Sequence, residues 1–395
     1  MTRKKCFVFV VCGAKEHLDT LHFSLERLKK HSKAEIIVLT DSSRNEIKVA
    51  HTQIVDVKTA EHFDHHQASI YLKTGIHKFL PVGPVYCYLD TDIIALKDDV
   101  DKIFDEYTTP ISFAPDHCKL KKFSPYSVNC GCKETWEQKR ETFEAASLKY
   151  DKNRQIVDPV SVSKQKKLQI HFEHLKNNFP AKLFTAIRYF LSRKHFRLNE
   201  DFYFDKNERV WRDAETNSNI LFEVDVQKIE SETKFKFNKW TQKWLDQNKQ
   251  DIWKDECEHL SEYIEDTFTI KVKNKNWQHW NGGVFLFDEG SHDFLEAWHQ
   301  KTLDIFSLDK WRTRDQGTLI ATVWEFGMEK HPTLNKKWNF IADYNNAGLE
   351  FKKEGKFTDD YWKTSYQASF VHIYHHWADE NWGLWNWVEA NPLNK

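Results

Sequence analysis

Two kinds of hydrophobic pattern take turns along the first hundred or so residues. Residues 6–12 (CFVFVVC) are an unbroken apolar run, as expected of a strand covered on both faces. Leu18, Leu21, Leu25 and Leu28 then recur at three- and four-residue spacing, which predicts an amphipathic helix from about Leu18 to Lys30. EIIVLTD (35–41) reads as a second strand ending in Asp41, and a third short strand is expected near Gln53–Val57. A helix is expected over His65–Phe79, stopped by Pro81, Gly83 and Pro84. The run VYCYLDTDIIAL (85–96) follows. Such alternation predicts an α/β fold with a mainly parallel sheet and right-handed crossovers.

From about Asp116 to Asn276 charge density rises, strand signals weaken, and helical segments stand out at Gln165–Asn177 and Ala181–Lys194. We read residues 116–276 as a mainly helical insertion into one sheet domain made of residues 1–115 and 277–376. Strand pattern returns at WNGGVFLFD (280–288), followed by a helix over His292–Phe306 and another starting near Asp315. Residues 377–395 form an aromatic tail. Its segment WADENWGLWNWVEA is better read as a helix packed over the core than as a sugar-stacking or membrane-interface surface.

Composition narrows the function class. Lys plus Arg (58) nearly cancels Asp plus Glu (59), so no general attraction to nucleic acid or an anionic membrane is expected. Seven scattered cysteines, an odd number, fit a reducing compartment better than a disulfide framework. Lys15 and Glu16 follow the first apolar run at once, so that run reads as a buried strand and not as a secretory leader. No stretch reaches the roughly 18 apolar residues of a membrane span. The expectation is a cytoplasmic protein without a transmembrane segment.

Asp90-Thr91-Asp92 closes the apolar run Val85–Leu89. In parallel α/β sheets ligands bind beyond the carboxyl ends of strands. Two carboxylates two residues apart suit a hard divalent ion such as Mn²⁺ or Mg²⁺, which would neutralise a diphosphate leaving group. Asp99-Val100-Asp101 repeats the pattern without a preceding apolar strand, so context selects the first pair. Downstream, Asn281-Gly282-Gly283-Val284 opens a strand, and its paired glycines let backbone approach a ligand. Asp315-Gln316-Gly317 begins a helix, where Asp alone would read as an N-cap.

In order and spacing these motifs resemble glycosyltransferase family 8, which includes glycogenin and bacterial lipopolysaccharide glucosyl- and galactosyltransferases. The matching positions are Lys73, Tyr88-Leu89-Asp90-Thr91-Asp92, Asn281-Gly282-Gly283-Val284, Asp315-Gln316-Gly317 and His372. The resemblance implies a GT-A fold and a retaining transfer of a hexose from a UDP-sugar to a glycan or glycolipid acceptor, with peripheral membrane contact allowed. It implies Mn²⁺ (or Mg²⁺) on Asp90, Asp92 and His372, and charge balance from Lys73. Asn281 and Asp315 would hold sugar hydroxyls, with Gln316 near the reacting carbon. Cys12, Gly13 and Asp41 would lie by the nucleotide base, with Thr91, Gly282 and Gly283 also lining the donor site. The chain departs from the family at His372-Ile373-Tyr374-His375-His376-Trp377, which lacks the usual Gly and phosphate-binding Lys. His375 and His376 therefore stand as alternative ligands.

Two rivals remain. A sugar-phosphate nucleotidyltransferase needs a Gly-rich basic loop after its first strand, and Gly13-Ala14-Lys15-Glu16-His17 holds one Gly. A carbohydrate-binding protein without turnover keeps the fold alone. Apart from these, Cys118, Cys130 and Cys132, with His117 nearby and Cys257 and His259 farther on, have the makings of a zinc site. Cys-x-Cys is not the usual knuckle spacing, so free thiols are the preferred reading. His62, His65 and His66 read as surface or capping histidines.

Overall fold

The computed structural model describes residues 3–150, 159–208, 210–222, 226–238, 241, 243–344, 349–351, 356–358 and 366–390. The first part of the chain runs β1 (Lys5–Val11), α1 (Lys15–His31), β2 (Glu35–Thr40), β3 (Ile54–Asp56), α2 (His65–Thr74), β4 (Val85–Leu89), β5 (Ile93–Ala95) and β6 (Ile111–Pro115). Next come α3 (Leu120–Ser127), α4 (Cys132–Tyr150), α5 (Pro159–Asn177), α6 (Phe179–Leu191), β7 (His195–Arg197), β8 (Phe202–Asp205), β9 (Val210–Asp213) and β10 (Asn219–Phe222). The same segment closes with α7 (Val226–Thr233), β11 (Lys236–Asn238), β12 (Lys243–Leu245) and α8 (His259–Phe268). The last part holds β13 (Trp280–Phe287), α9 (His292–Asp304), α10 (Arg314–Glu325) and β14 (Phe340–Ile341). Three short strands follow, β15 (Glu350–Phe351), β16 (Lys356–Thr358) and β17 (Tyr366–Gln367), and then β18 (Phe370–His372) and α11 (Gly383–Ala390).

The architecture is α/β, with a central sheet ordered β3-β2-β1-β4-β13-β6. β3, β2, β1 and β4 are parallel, and β13 runs antiparallel to both neighbours. Alternation along β1 assigns its side chains to two faces. Phe7, Phe9 and Val11 join Leu18, Leu21, Leu25 and Leu28 of α1 on one side. Cys6, Val8 and Val10 join Leu72 of α2, Trp298 of α9 and Leu319 of α10 on the other. Each of the four α1 leucines is at most 2% exposed, a burial that contributes about 1.5–3 kcal/mol per side chain.

α2 starts at a capping box: the Asp64 carboxylate accepts from Gln67 N at 2.6 Å and Gln67 Oε1 accepts from Asp64 N at 3.0 Å. It ends earlier than the sequence pattern predicts, at Gly75, where a Cβ would stand 2.9 Å from His299 Cε1 on α9. The run 85–96 is not one strand. Ile93 N donates to Asp90 O at 3.1 Å, closing a turn, and β5 leaves the central sheet for a small one ordered β14-β18-β5. That break lies at the Asp-Thr-Asp motif.

Residues 116–276 carry helices and strands together. β10-β9-β8-β7 form an antiparallel sheet, and β11 pairs with β12. Phe196, Leu198, Phe202, Phe204 and Ile220 bury between that sheet and α5. α6 leaves Phe179, Leu183, Phe184, Ile187, Phe190 and Leu191 exposed. In the tail, Leu384, Trp385 and Val388 of α11 pack on Ile94, Phe340 and Ile373. Among the described residues no helix is long and apolar enough to cross a membrane.

Candidate metal and donor site

Strand pairing brings distant chemistry together at the carboxyl end of β4. β18 runs antiparallel to β5 with His372 opposite Ile93, and Ile373 N donates to Asp92 O at 3.0 Å. This register sets the His372 ring against the motif, with Nε2 3.3 Å from Asp92 Oδ1. One ligand atom each from Asp90, Asp92 and His372 lies within 4.8 Å of the others. His375 and His376 turn elsewhere. Tyr344 N donates to His375 Nε2 at 2.8 Å, and His376 stacks on Tyr344 and lies 3.1 Å from Asp379.

The imidazole is held from behind by a relay of amides. Asp116, after β6, is acceptor-only, and Asn281 Nδ2 donates to its Oδ2 at 2.9 Å. That choice leaves Asn281 Oδ1 to accept from Gly283 N and Asn339 Nδ2, both at 2.9 Å. Asn339 Oδ1 then faces His372 Nδ1 at 3.0 Å and must accept its proton. Nε2 is left with its lone pair toward the carboxylates, the tautomer a metal ligand needs. Burial opposes protonation of His372, but the Asp92 and Asp90 carboxylates raise its pKa above the ordinary imidazole value. The same negative field attracts a cation.

Lys73, on α2, sits between two carboxylates, 3.1 Å from Asp90 Oδ1 and 2.9 Å from Asp315 Oδ2. Burial by itself would lower the Lys73 pKa and raise that of Asp315. Their pairing prevails in both, so the ammonium goes up and the Asp315 carboxyl goes down. Burial raises the Asp90 carboxyl in spite of Lys73, with Asp92 adding to the rise. Tyr88 donates its hydroxyl to Asp90 Oδ1 at 2.5 Å.

The two glycines lie in a bulge of β13: Asn281 pairs with Ala114 and Phe285 with the next residue, Phe113. A Cβ at Gly283 would stand 2.8 Å from Asn281 Oδ1, 2.9 Å from His372 Cε1 and 3.1 Å from Asp90 Oδ2. Gln316 Oε1 accepts from Gly282 N at 2.9 Å, and its amide nitrogen donates to Trp280 O. Asn281 and Gln316 were expected to meet donor sugar. Their amides also brace this bulge within the protein. Of the expected set, Lys73 reaches the Asp90 carboxylate, and Asp315 reaches Lys73.

The other expected positions form a second rim. Gly13 follows β1 with φ +111°, and a Cβ there would lie 2.9 Å from His65 Cβ, so His65, read as a surface or capping histidine and exposed, lies against the end of β1. Cys12 is buried, its thiol pushed up to about 11 chiefly by burial. Asp41 is not a free carboxylate for a base. It accepts from Ser43 N at 3.1 Å and from Thr59 N and Oγ1 at 2.7 and 2.6 Å, which bring its pKa to about 2 against the effect of burial. Thr91 lies in the turn, its carbonyl accepting from Ser24 Oγ at 2.6 Å. In the comparison pair, Asp101 accepts from Lys33 N at 3.0 Å, a structural contact. Sequence reasoning missed Asp116 and Asn339, neither of which belongs to a motif.

Asp90, Asp92 and His372 fit a hard divalent ion. Asp92 Oδ1 is buried without a hydrogen-bond partner, and two oxygens with one imidazole nitrogen are a donor set Mn²⁺ accepts. No protein-family description and no curated protein matches the chain. Among solved structures it is similar to WbbM, a bifunctional glycosyltransferase in its apo form, at 10% identity and a TM-score of 0.45. That match covers 100% of this chain and 50% of the other, so the chain spans half of WbbM's length. It is also similar to mouse xyloside xylosyltransferase 1, apo form, at 10% identity and a TM-score of 0.37, over 94% of this chain and 98% of the other.

Proposed function

We propose that the chain is a metal-dependent glycosyltransferase of the GT-A type that moves a hexose from a UDP-sugar to a glycan or glycolipid acceptor. One observation carries this reading: three ligand atoms from segments about 280 residues apart (Asp90 and Asp92 against His372) converge within 4.8 Å beyond a parallel strand. A bound divalent ion supplies charge neutralisation at the diphosphate leaving group. Asp90, Asp92 and His372 hold it there, with Mn²⁺ preferred over Mg²⁺ because of the imidazole. Lys73 adds a fixed positive charge, and Asp315 orients that ammonium and faces the donor sugar. Asn281 and Gln316 position the bulge against which the sugar lies. Retention of anomeric configuration comes with the family 8 resemblance. The exposed apolar face of α6 supports peripheral contact with a membrane and a lipid-linked acceptor. Seven free thiols support a reducing compartment such as the cytoplasm.

The test is thermal stability with UDP, with and without Mn²⁺, on wild type and Asp92→Asn. A ligand at a hundred times its Kd stabilises by about 2.7 kcal/mol. The expected result is a shift that needs both ligands in wild type and is absent in Asp92→Asn, with loss of metal-dependent UDP-sugar turnover. Normal turnover in the variant would sink the assignment. A full shift with UDP and Mn²⁺ but no hydrolysis or transfer of any sugar nucleotide would favour the binding protein without turnover.

A further inference from the structure

We infer that Cys130, Cys132, Cys257 and His259 form a structural zinc site that clasps the two ends of the inserted segment together. The four residues offer one ligand atom each, all within 4.8 Å of one another. Zinc takes sulfur at about 2.3 Å and nitrogen at about 2.0–2.1 Å, so tetrahedral coordination sets edges of about 3.8 Å between sulfurs and about 3.6 Å between sulfur and nitrogen. Cys130 Sγ lies 3.9 Å from Cys257 Sγ, and Cys132 Sγ lies 3.4 Å from His259 Nδ1. Two opposite edges of that tetrahedron are thus already close to those lengths, and the other four lie within 4.8 Å.

The chain builds the site from two matching loops. Cys130-Gly131-Cys132 leads into α4 and Cys257-Glu258-His259 leads into α8, so each loop gives two ligands separated by one residue. Gly131 takes φ +72°, the left-handed turn that lets both sulfurs of so short a loop face one point. Two helix amino termini meet there, and their dipoles favour the negative charge that metal-bound sulfurs carry. Outer contacts suit a ligated state. Ser124 Oγ lies 3.1 Å from Cys257 Sγ while accepting from Leu260 N, so its proton is available to the sulfur. His259 binds through Nδ1 and turns Nε2 toward Glu262, 4.0 Å away.

His117 and Cys118 do not belong to this set. Cys118 groups with Asp116 and His279. There the Asp116 carboxylate already accepts from Asn281 and from Cys118 N, which leaves it a poor ligand.

The clasp bears on the donor site through the backbone. Asn129 N donates to Lys310 O and Arg312 N to Ser127 O, both at 2.8 Å, and Val128 bridges to Trp311. Two residues beyond that pairing α10 begins, carrying Asp315 and Gln316.

The experiment uses the full chain in three forms: wild type, Asp92→Asn, and the double variant Cys130→Ser/Cys257→Ser. After dialysis that removes weakly held ions, wild type and Asp92→Asn are expected to retain one zinc per chain. Mercurial modification of thiols should release it, and the double variant should lack it. Cobalt exchanged into wild type should give the intense visible bands of a tetrahedral ion together with thiolate charge transfer. Cys118→Ser should keep both signals. Protein that holds no zinc and gives no thiolate–cobalt bands would overturn the inference, as would recovery of these cysteines as a disulfide. If the double variant fails to fold, the cobalt spectrum of wild type still decides.

Discussion

At residue scale, the paired glycines separate two kinds of close approach. The sequence reading expected small residues there to admit a ligand. At Gly283 the space is taken by the protein's own atoms, since a Cβ would overlap Asn281, His372 and Asp90 at once. At Gly282 the nearest atoms are the ends of Gln316 (3.3 Å) and Lys73 (3.5 Å), a smaller misfit than at Gly283. Gly283→Ala is therefore expected to cost about 1–3 kcal/mol of stability and to weaken Mn²⁺ binding by about 10–100-fold. Gly282→Ala should do little to either. Manganese titrations followed by thermal unfolding check this, and equal effects of the two substitutions would contradict it. Asp90 and Asp92 were legible because an apolar strand precedes them. Asp116 and Asn339 were not, since a lone acid and a lone amide become meaningful only when strands from elsewhere dock beside them.

At the scale of elements, legibility followed length. β1, β2 and β13 are six to eight residues long and mostly buried, and each was read within a residue of its observed bounds, whereas β4 was read as part of the longer run 85–96. β7 to β12 are three or four residues long, too short for a period of two to stand out among charges. α2 was read too long because Gly75, where it stops and a 3₁₀ turn over Ile76–Lys78 begins, was passed over; His299 occupies the space beside that glycine. That contact has a pH signature. Burial, with Lys78 nearby, lowers the His299 pKa to about 4, while Nδ1 meets Thr74 Oγ1 at 2.8 Å. Below the free imidazole value of about 6.5, the unfolded chain takes up a proton that the folded chain refuses until about pH 4. Stability from this group is thus present above pH 6.5 or so and lost as pH falls through that window. Melting curves between pH 7 and 5 should show a smaller decline for His299→Gln than for wild type. Identical slopes would remove His299 from the account.

For the molecule as a whole, the sheet order β3-β2-β1-β4-β13-β6 decides which distant residues become neighbours. A sequence pattern can place a residue at the end of a strand, but not say which strand will lie next to it. β13 enters reversed between β4 and β6, which sets Asn281 between Asp116 on one flank and the carboxylate motif on the other. The line from Asp116 through Asn281 and Asn339 to His372 crosses four segments of the chain. Each amide in that line has two ends of nearly identical shape and opposite polarity, and two fixed groups set their direction: the Asp116 carboxylate, which only accepts, and the Gly283 N–H, which only donates. Asp116→Asn keeps the shape and removes the first of them. An amide there that still accepts from Cys118 N turns its NH2 toward the Asn281 NH2, so the variant is expected to melt lower by the cost of that mismatch, about 1–3 kcal/mol. The Gly283 N–H still holds Asn281 Oδ1 in place, so nitrogen NMR should show His372 in the same tautomer as wild type, with Mn²⁺ affinity down by about 10-fold. A mixture of tautomers would show that the carboxylate alone sets the direction. The relay is a one-way street signed at both ends: taking down one sign leaves the traffic running the same way.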